Sequence, residues 1–294
     1  MRPGDQARTW KAFSYVTVGE ATGQSQGLID QVNNGPIRLR LPCAPSTDAT
    51  DCTTSGDTTM SVNAWRANNG SGPVEFSMVA KDGDGWGANA ENISRYTTGW
   101  FMEWVGGTTV ETPGVQVRCD YGPEMTGPSS KTGCVFPAGR HHMERITLAD
   151  PFVTQAAHHI YDALYTPNAT QPPSSKPFIA KVIPGLEANN APLTRLWQPG
   201  GQKNKANHEK ARRTCISLLG QKEYQRLVDN GEQCDEYPFA STYQGAASGG
   251  DFSVRMIDGT DNRIAGDEYL NHWYNAWRIL DGDAFFVDAP FDLP

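Results

Sequence analysis

In the stretch EQCDEYPFASTYQG, Asp235 and Glu236 are adjacent carboxylates directly after Cys234. Two acids on an anchored strand end can bind a hard cation, or divide the work so that one ligates and the other acts as a base. Pro238 fixes φ and removes a donor just behind them, and Tyr237 and Phe239 supply aromatic anchors for the corner. A second set follows in DGTDNRIAGDEYLN. Asn262 is expected in a loop; Asp267, Glu268 and Asn271 are expected in the first turns of a helix, where 267 and 271 share a face. Ordinary helix N-termini also favour acids, so most of this set needs no catalytic reading. A glycosidase built on Asp235 and Glu236 is disfavoured, because neighbours on a strand point to opposite faces and cannot flank one sugar bond well.

These side chains need elements to position them. Residues 1–134 read as strands: KAFSYVTVGE, TTMSVNAWRA, PVEFSMVAKD, GWFMEWVGG and PGVQVRCDY alternate in polarity or carry β-branched and aromatic runs. The expectation is an all-β, sandwich-like N-terminal domain. The texture then changes, and 135–294 reads as an α+β domain. LADPFVTQAAHHIYDALY predicts a helix with Asp150 as N-cap, Pro151 at its first position and a stripe of Phe152, Ala156, Ile160 and Leu164. TPNATQPPSSKPF is loop, and NHEKARRTCISLLGQKEYQRLVDNG is one helix or two, ending at Gly231. The motif, the turn QGAASGG, a strand DFSVRMID, a helix around AGDEYLNHWYNAWRIL and a last strand DAFFVDA complete the domain.

The chain has 294 residues, 38% of them hydrophobic, with 30 glycines, 20 prolines and eight tryptophans, enough for real cores joined by much loop. No stretch approaches the roughly 18 apolar residues of a membrane span. The six cysteines, at 43, 52, 119, 134, 215 and 234, form no CxxC. Their grouping in short sequence pairs favours disulfides Cys43–Cys52, Cys119–Cys134 and Cys215–Cys234, and hence an extracellular protein. The segment MRPGDQARTW has no apolar core of a leader, so the expected export signal is one already removed. The net charge of −8 argues against a cationic coat. Between 203 and 226, however, Lys203, Lys205, Lys210, Arg212, Arg213, Lys222 and Arg226 outnumber Glu209 and Glu223, and such a patch can steer a polyanion.

CDEYPFAST, followed by a Gly-Gly turn, a strand, DNRIAG, a helix and RILDGDAFFV, resembles the NucA/NucB-type secreted deoxyribonucleases. KARRTC and AAHHIYDAL also fit, so the resemblance spans roughly 140–294, with the Pro-rich 165–200 as an insertion. It implies a ββα-metal core of the His-Me finger type with Asp235 in the base position. Glu236, Asn262 and Asn271 become candidates to hold or orient a divalent ion, Mg²⁺ or Mn²⁺, and Arg212 and Arg213 become candidates to clamp phosphate. His208, just before the arginine pair, is a further catalytic candidate. Where many members carry Gln before the motif glycine, this chain has Ala265. The implied activity is metal-dependent cleavage of DNA, without sequence specificity because no base-reading motif is present.

Other features are demoted. The pairs His141–His142 and His158–His159 read as surface or packing residues, since adjacent histidines point in different directions. KDGDGWGANAEN, with Asp82, Asp84 and Gly87 in calcium-loop positions, lacks the closing Glu and reads as a glycine-rich turn. Asn69, Asn92 and Asn168 lie in glycosylation sequons. A rival reading makes the chain a surface or carbohydrate-binding protein with an inactive nuclease-like domain, using Trp65, Trp86, Trp100 and Trp104 to hold a glycan. A toxin nuclease with an immunity partner would share the same sequence features.

Overall fold

The computed structural model describes residues 9–20, 22, 25–45, 52–68, 74–80, 93–105, 107–125, 131–137, 141–174 and 178–288. The calcium-like loop at 81–92, with Trp86 and Asn92, and also Asn69 and Arg140, lie outside them. The chain is mixed α+β and divides into two compact units, Met1–Pro123 with Gly127–Gly139, and Glu124–Thr126 with Arg140–Pro294.

Among the described residues, the first unit holds three antiparallel sheets. One orders Thr9–Ser14, Val74–Ala80 and Cys52–Ser55; another orders Thr132–Val135, Val115–Tyr121, Ser94–Thr98 and Cys43–Pro45. The third orders Thr58–Ser61, Pro36–Arg40, Phe101–Trp104 and Thr109–Glu111. Leu39, Leu41, Trp65, Phe76, Met78, Tyr96 and Val117 form its core. The unit is not purely β: Gln26–Asn34 and Val62–Ala67 are helices. The run TTMSVNAWRA therefore ends as a strand at Ser61, whose hydroxyl accepts from Ala64 N at 3.2 Å and starts the helix, a local cap that outweighs the alternating pattern. Of the four candidate tryptophans, the three described ones are packed against the protein, Trp65 buried and Trp100 and Trp104 half-buried. Trp65 is 2% exposed and donates to Ile37 O; Trp100 packs edge-on against Phe76; Trp104 covers Gly35, where a Cβ would collide with its ring.

In the second unit the helix Thr154–Tyr165 packs against an antiparallel pair, Glu232–Tyr237 and Ser253–Asp258. The helix begins later than expected: Asp150 makes a turn by accepting from Phe152 N, and Phe152 stays exposed while Ala156, Ile160 and Leu164 are buried. Its true cap is remote. The buried Asp261 carboxylate accepts from Gln155 N and Ala156 N at 2.8 and 3.0 Å, satisfying two of the helix's orphan donors.

The helices Gln202–Leu219 and Gln221–Asp229 are separated by Gly220 at φ 81°, a left-handed backbone that glycine adopts freely. Asn207, Ala211 and Cys215 recur every fourth residue and form the first helix's buried stripe. Cys215 bonds to Cys234; Cys43–Cys52 and Cys119–Cys134 are likewise bonded.

After Asp258 the chain is helical from Gly259 to Ala276, as an α-turn to Arg263, a π-helical stretch Ile264–Leu270 and a final α-segment. Asn262 therefore lies in helix rather than loop. Asp258 sets this earlier start by accepting from Thr260 N and Asp261 N, an N-cap placed directly at the strand's end. The strand Ala284–Val287 pairs parallel with His142–Met143 and antiparallel with Leu193–Thr194.

Candidate active site

Alternation along Glu232–Tyr237 sends its side chains to two sides. Tyr237 is fully buried in the core that contains Ala156, Ile160 and Leu164, whereas Cys234 is tied to the helix Gln202–Leu219. Asp235 follows Tyr237 toward the helix Thr154–Tyr165, and Glu236 follows Cys234 toward the other helix.

Each carboxylate meets a histidine. Asp235 Oδ2 lies 2.7 Å from Nδ1 of His159, a residue with no solvent exposure, and His159 Nε2 lies 2.7 Å from Ser253 Oγ. The Ser253 hydroxyl can donate to Nε2, which leaves Nδ1–H to donate to Asp235 and fixes the acid's orientation. This Ser–His–Asp connectivity is not a nucleophilic triad: Ser253 is 1% exposed and offers no attacking oxygen to a substrate. On the other side Glu236 Oε1 lies 2.7 Å from His208 Nδ1, with the glutamate side chain 8% exposed and the histidine 67% exposed. Burial pushes the Glu236 carboxyl up, opposed by the hydrogen bond from His208, and that same bond raises His208.

His208 is held in place by its neighbour. Asn207 Nδ2 donates to Ala240 O at 2.8 Å and Asn207 Oδ1 accepts from Ala247 N at 3.0 Å, binding the helix to the loop after the motif. Gly245 permits this approach, since a Cβ there would collide with the Asn207 amide.

Asp235, Glu236, His208, Asn262, Asp267 and Asn271 line one cleft of about 370 Å³ between the helix Gln202–Leu219 and the helical run after Asp258. Asn262 Nδ2 donates to Gln233 Oε1 at 3.1 Å across the mouth of the strand pair. Arg212 and Arg213 are not brought into the cleft lining. Both bind the exposed Glu209 at 2.7 to 3.0 Å, and their hydrogen bonds hold its carboxyl down to about 2. The helix geometry explains it: 209, 212 and 213 form i, i+3 and i, i+4 pairs on the solvent side.

Among the described residues, no three His, Cys, Asp or Glu side chains converge as a preformed metal cluster. Most donors of the cleft are nonetheless hard, the carboxylates of Asp235, Glu236 and Asp267 and the amides of Asn262 and Asn271 beside the His208 imidazole, which suits an ion that keeps several waters and uses one or two carboxylates.

His159 is the residue that sequence reasoning misses. Its neighbour His158 is exposed, so the two do point in different directions, but a histidine in phase with Ala156, Ile160 and Ala163 sits on the apolar face, where a buried polar ring demands a partner. Of the other histidine pair, His142 sits between the Asp288 and Glu187 carboxylates. Ala265 is 5% exposed in the core, a position where a longer polar side chain would need new partners.

The second unit is thus an α+β domain with an acid- and amide-lined cleft framed by an antiparallel strand pair and a following helix. Residues 187–288 match the family model Deoxyribonuclease NucA/NucB, a span that includes both acids of the motif, both asparagines and the helix bearing His208. The match is shorter than the resemblance suggests, and the helix Thr154–Tyr165, with His159, precedes it. Comparisons with curated proteins and with solved structures give no match.

Proposed function

We propose that the chain is an extracellular, metal-dependent endonuclease that hydrolyses DNA phosphodiester bonds without sequence preference, using a ββα-metal type core in the second unit. The observation that carries this reading is the convergence of Asp235, Glu236, His208, Asn262 and Asn271 on one cleft inside the span that matches a deoxyribonuclease family. The three disulfides fit an oxidising location, and no helix among the described residues is long and apolar enough to cross a membrane.

Asp235 takes a proton from the attacking water, and the Nδ1–H of His159 holds one of its oxygens so that the other addresses the substrate. Glu236, Asn262 and Asn271 would hold Mg²⁺ or Mn²⁺; the Asn262 amide nitrogen is occupied by Gln233, which leaves its carbonyl oxygen as the donor. When bound, such an ion neutralises charge gathering on the phosphate and acidifies water. His208 donates a hydrogen bond to the buried Glu236 and leaves its exposed ring edge toward the cleft where the phosphate would lie. Arg212 and Arg213, on the open face of their helix, contact the flanking backbone rather than the scissile group.

The test is nicking of supercoiled plasmid. The wild-type chain is expected to nick with Mg²⁺ or Mn²⁺ and to stop with EDTA. Asp235→Asn is expected to lose about 10²–10⁴-fold with an unchanged circular dichroism spectrum. A fully active Asp235→Asn protein would refute the assignment.

A further inference from the structure

A concavity of the first unit, about 550 Å³, lies outside everything above and falls within the usual range of small-molecule sites, about 300–1,000 Å³. Across its floor runs a row of directly opposed residues on three neighbouring strands, Arg40 beside Phe101 and Phe101 beside Glu111. Opposed residues share a face of the sheet. Two strand spacings put the ends of the row about 10 Å apart.

Arg40 lies over the Phe101 ring at 5.3 Å, a cation–π contact that steadies the guanidinium. Its Nε is buried without a hydrogen-bond partner. Among the described residues neither Arg40 nor Glu111 forms an ion pair. A steadied guanidinium presents a fork of terminal nitrogens that matches a carboxylate. Gly114, also in the lining, packs closely against Thr97, where a Cβ would collide with its methyl group.

We propose that this cleft binds an acidic saccharide unit, its carboxylate on Arg40 and its hydroxyls on Glu111. Glu111 accepts hydrogen bonds and repels a second negative charge, so a polyanion such as nucleic acid is disfavoured here. A neutral sugar leaves the Arg40 fork unfilled. The ligand must therefore be anionic at one end and rich in donors at the other, and a hexuronate has that pattern on a single ring.

Calorimetric titration of the full chain with glucuronate, glucose and inorganic phosphate tests this. Glucuronate is expected to bind saturably, with glucose and phosphate at least tenfold weaker. Arg40→Ala should lose at least tenfold, and Glu111→Gln, at an exposed position, should weaken binding several-fold without moving Tm. No glucuronate binding, equal binding of glucose, equal binding of phosphate, or an unaffected Glu111→Gln protein each overturns the proposal. Should Arg40→Ala fail to fold, the Glu111→Gln comparison decides alone.

Discussion

In the proposed reaction Asp235 activates water, and the buried His159 is bonded to that carboxylate at 2.7 Å. Ser253 completes the chain from the other ring nitrogen, so the imidazole cannot rotate without breaking a bond at each end. His159→Gln is expected to lower kcat about 10–100-fold, the usual cost of losing a partner that orients a site residue, with KM for DNA nearly unchanged. Steady-state kinetics on a labelled duplex separates the two; an equal rise in KM would indicate collapse of the cleft instead. A second buried group, Lys181, is 3% exposed, with its Nζ bonded to Thr170 Oγ1 and Pro172 O at 2.8 Å. Burial lowers it from the ordinary 10.5 to about 8. Between those values the unfolded chain holds the extra proton, so stability rises with pH across that window and the full cost of burying the charge persists below it. Calorimetry at pH 7.5 and 10 should show the wild type gaining on Lys181→Met; a constant gap would remove the argument.

At the scale of elements, the site depends on a helix capped by a residue far along the chain. Asp261 caps Thr154–Tyr165, and Asp258 caps the helical run that carries Asp261. One acid therefore links the helix bearing His159 to the helix bearing Asn262 and Asn271. Asp261→Ala is expected to cost about 1–2 kcal/mol, read as a lower Tm, and to reduce nicking although Asp261 does not line the cleft. Unchanged Tm and activity would mean that packing alone sets the helix. The π-helical stretch Ile264–Leu270 and the residue after it present Gly266, Asp267, Leu270 and Asn271 to the cleft, pairs four residues apart on one helical face.

At the scale of the molecule, an acidic chain presents a basic helix beside an acid-lined cleft. Binding to DNA should weaken linearly in log K against log salt, because phosphate contacts release counterions. The double variant Arg212→Ala, Arg213→Ala should flatten that slope by about 1–2 and weaken all sequences alike, measured by fluorescence anisotropy. An unchanged slope would place the phosphate track elsewhere. Much of this organisation is legible in the sequence, because it is local. The acids after Cys234 and the strand Ser253–Asp258 follow from nearest-neighbour spacing, as does the density of arginine and lysine between 203 and 226; the sequence leaves one helix or two there, and the structure divides them at Gly220. The short separations of the cysteines point to the pairs that are bonded. What only the tertiary structure decides lies in contacts between distant residues. His159 and Asp235 are 76 positions apart, and Gln155 and Asp261 are 106. Periodicity reports which face of a helix is apolar, but not which remote carboxylate will meet a polar side chain on it. The partner is chosen by the fold, since a buried polar group has to be satisfied by whatever the packing brings within reach.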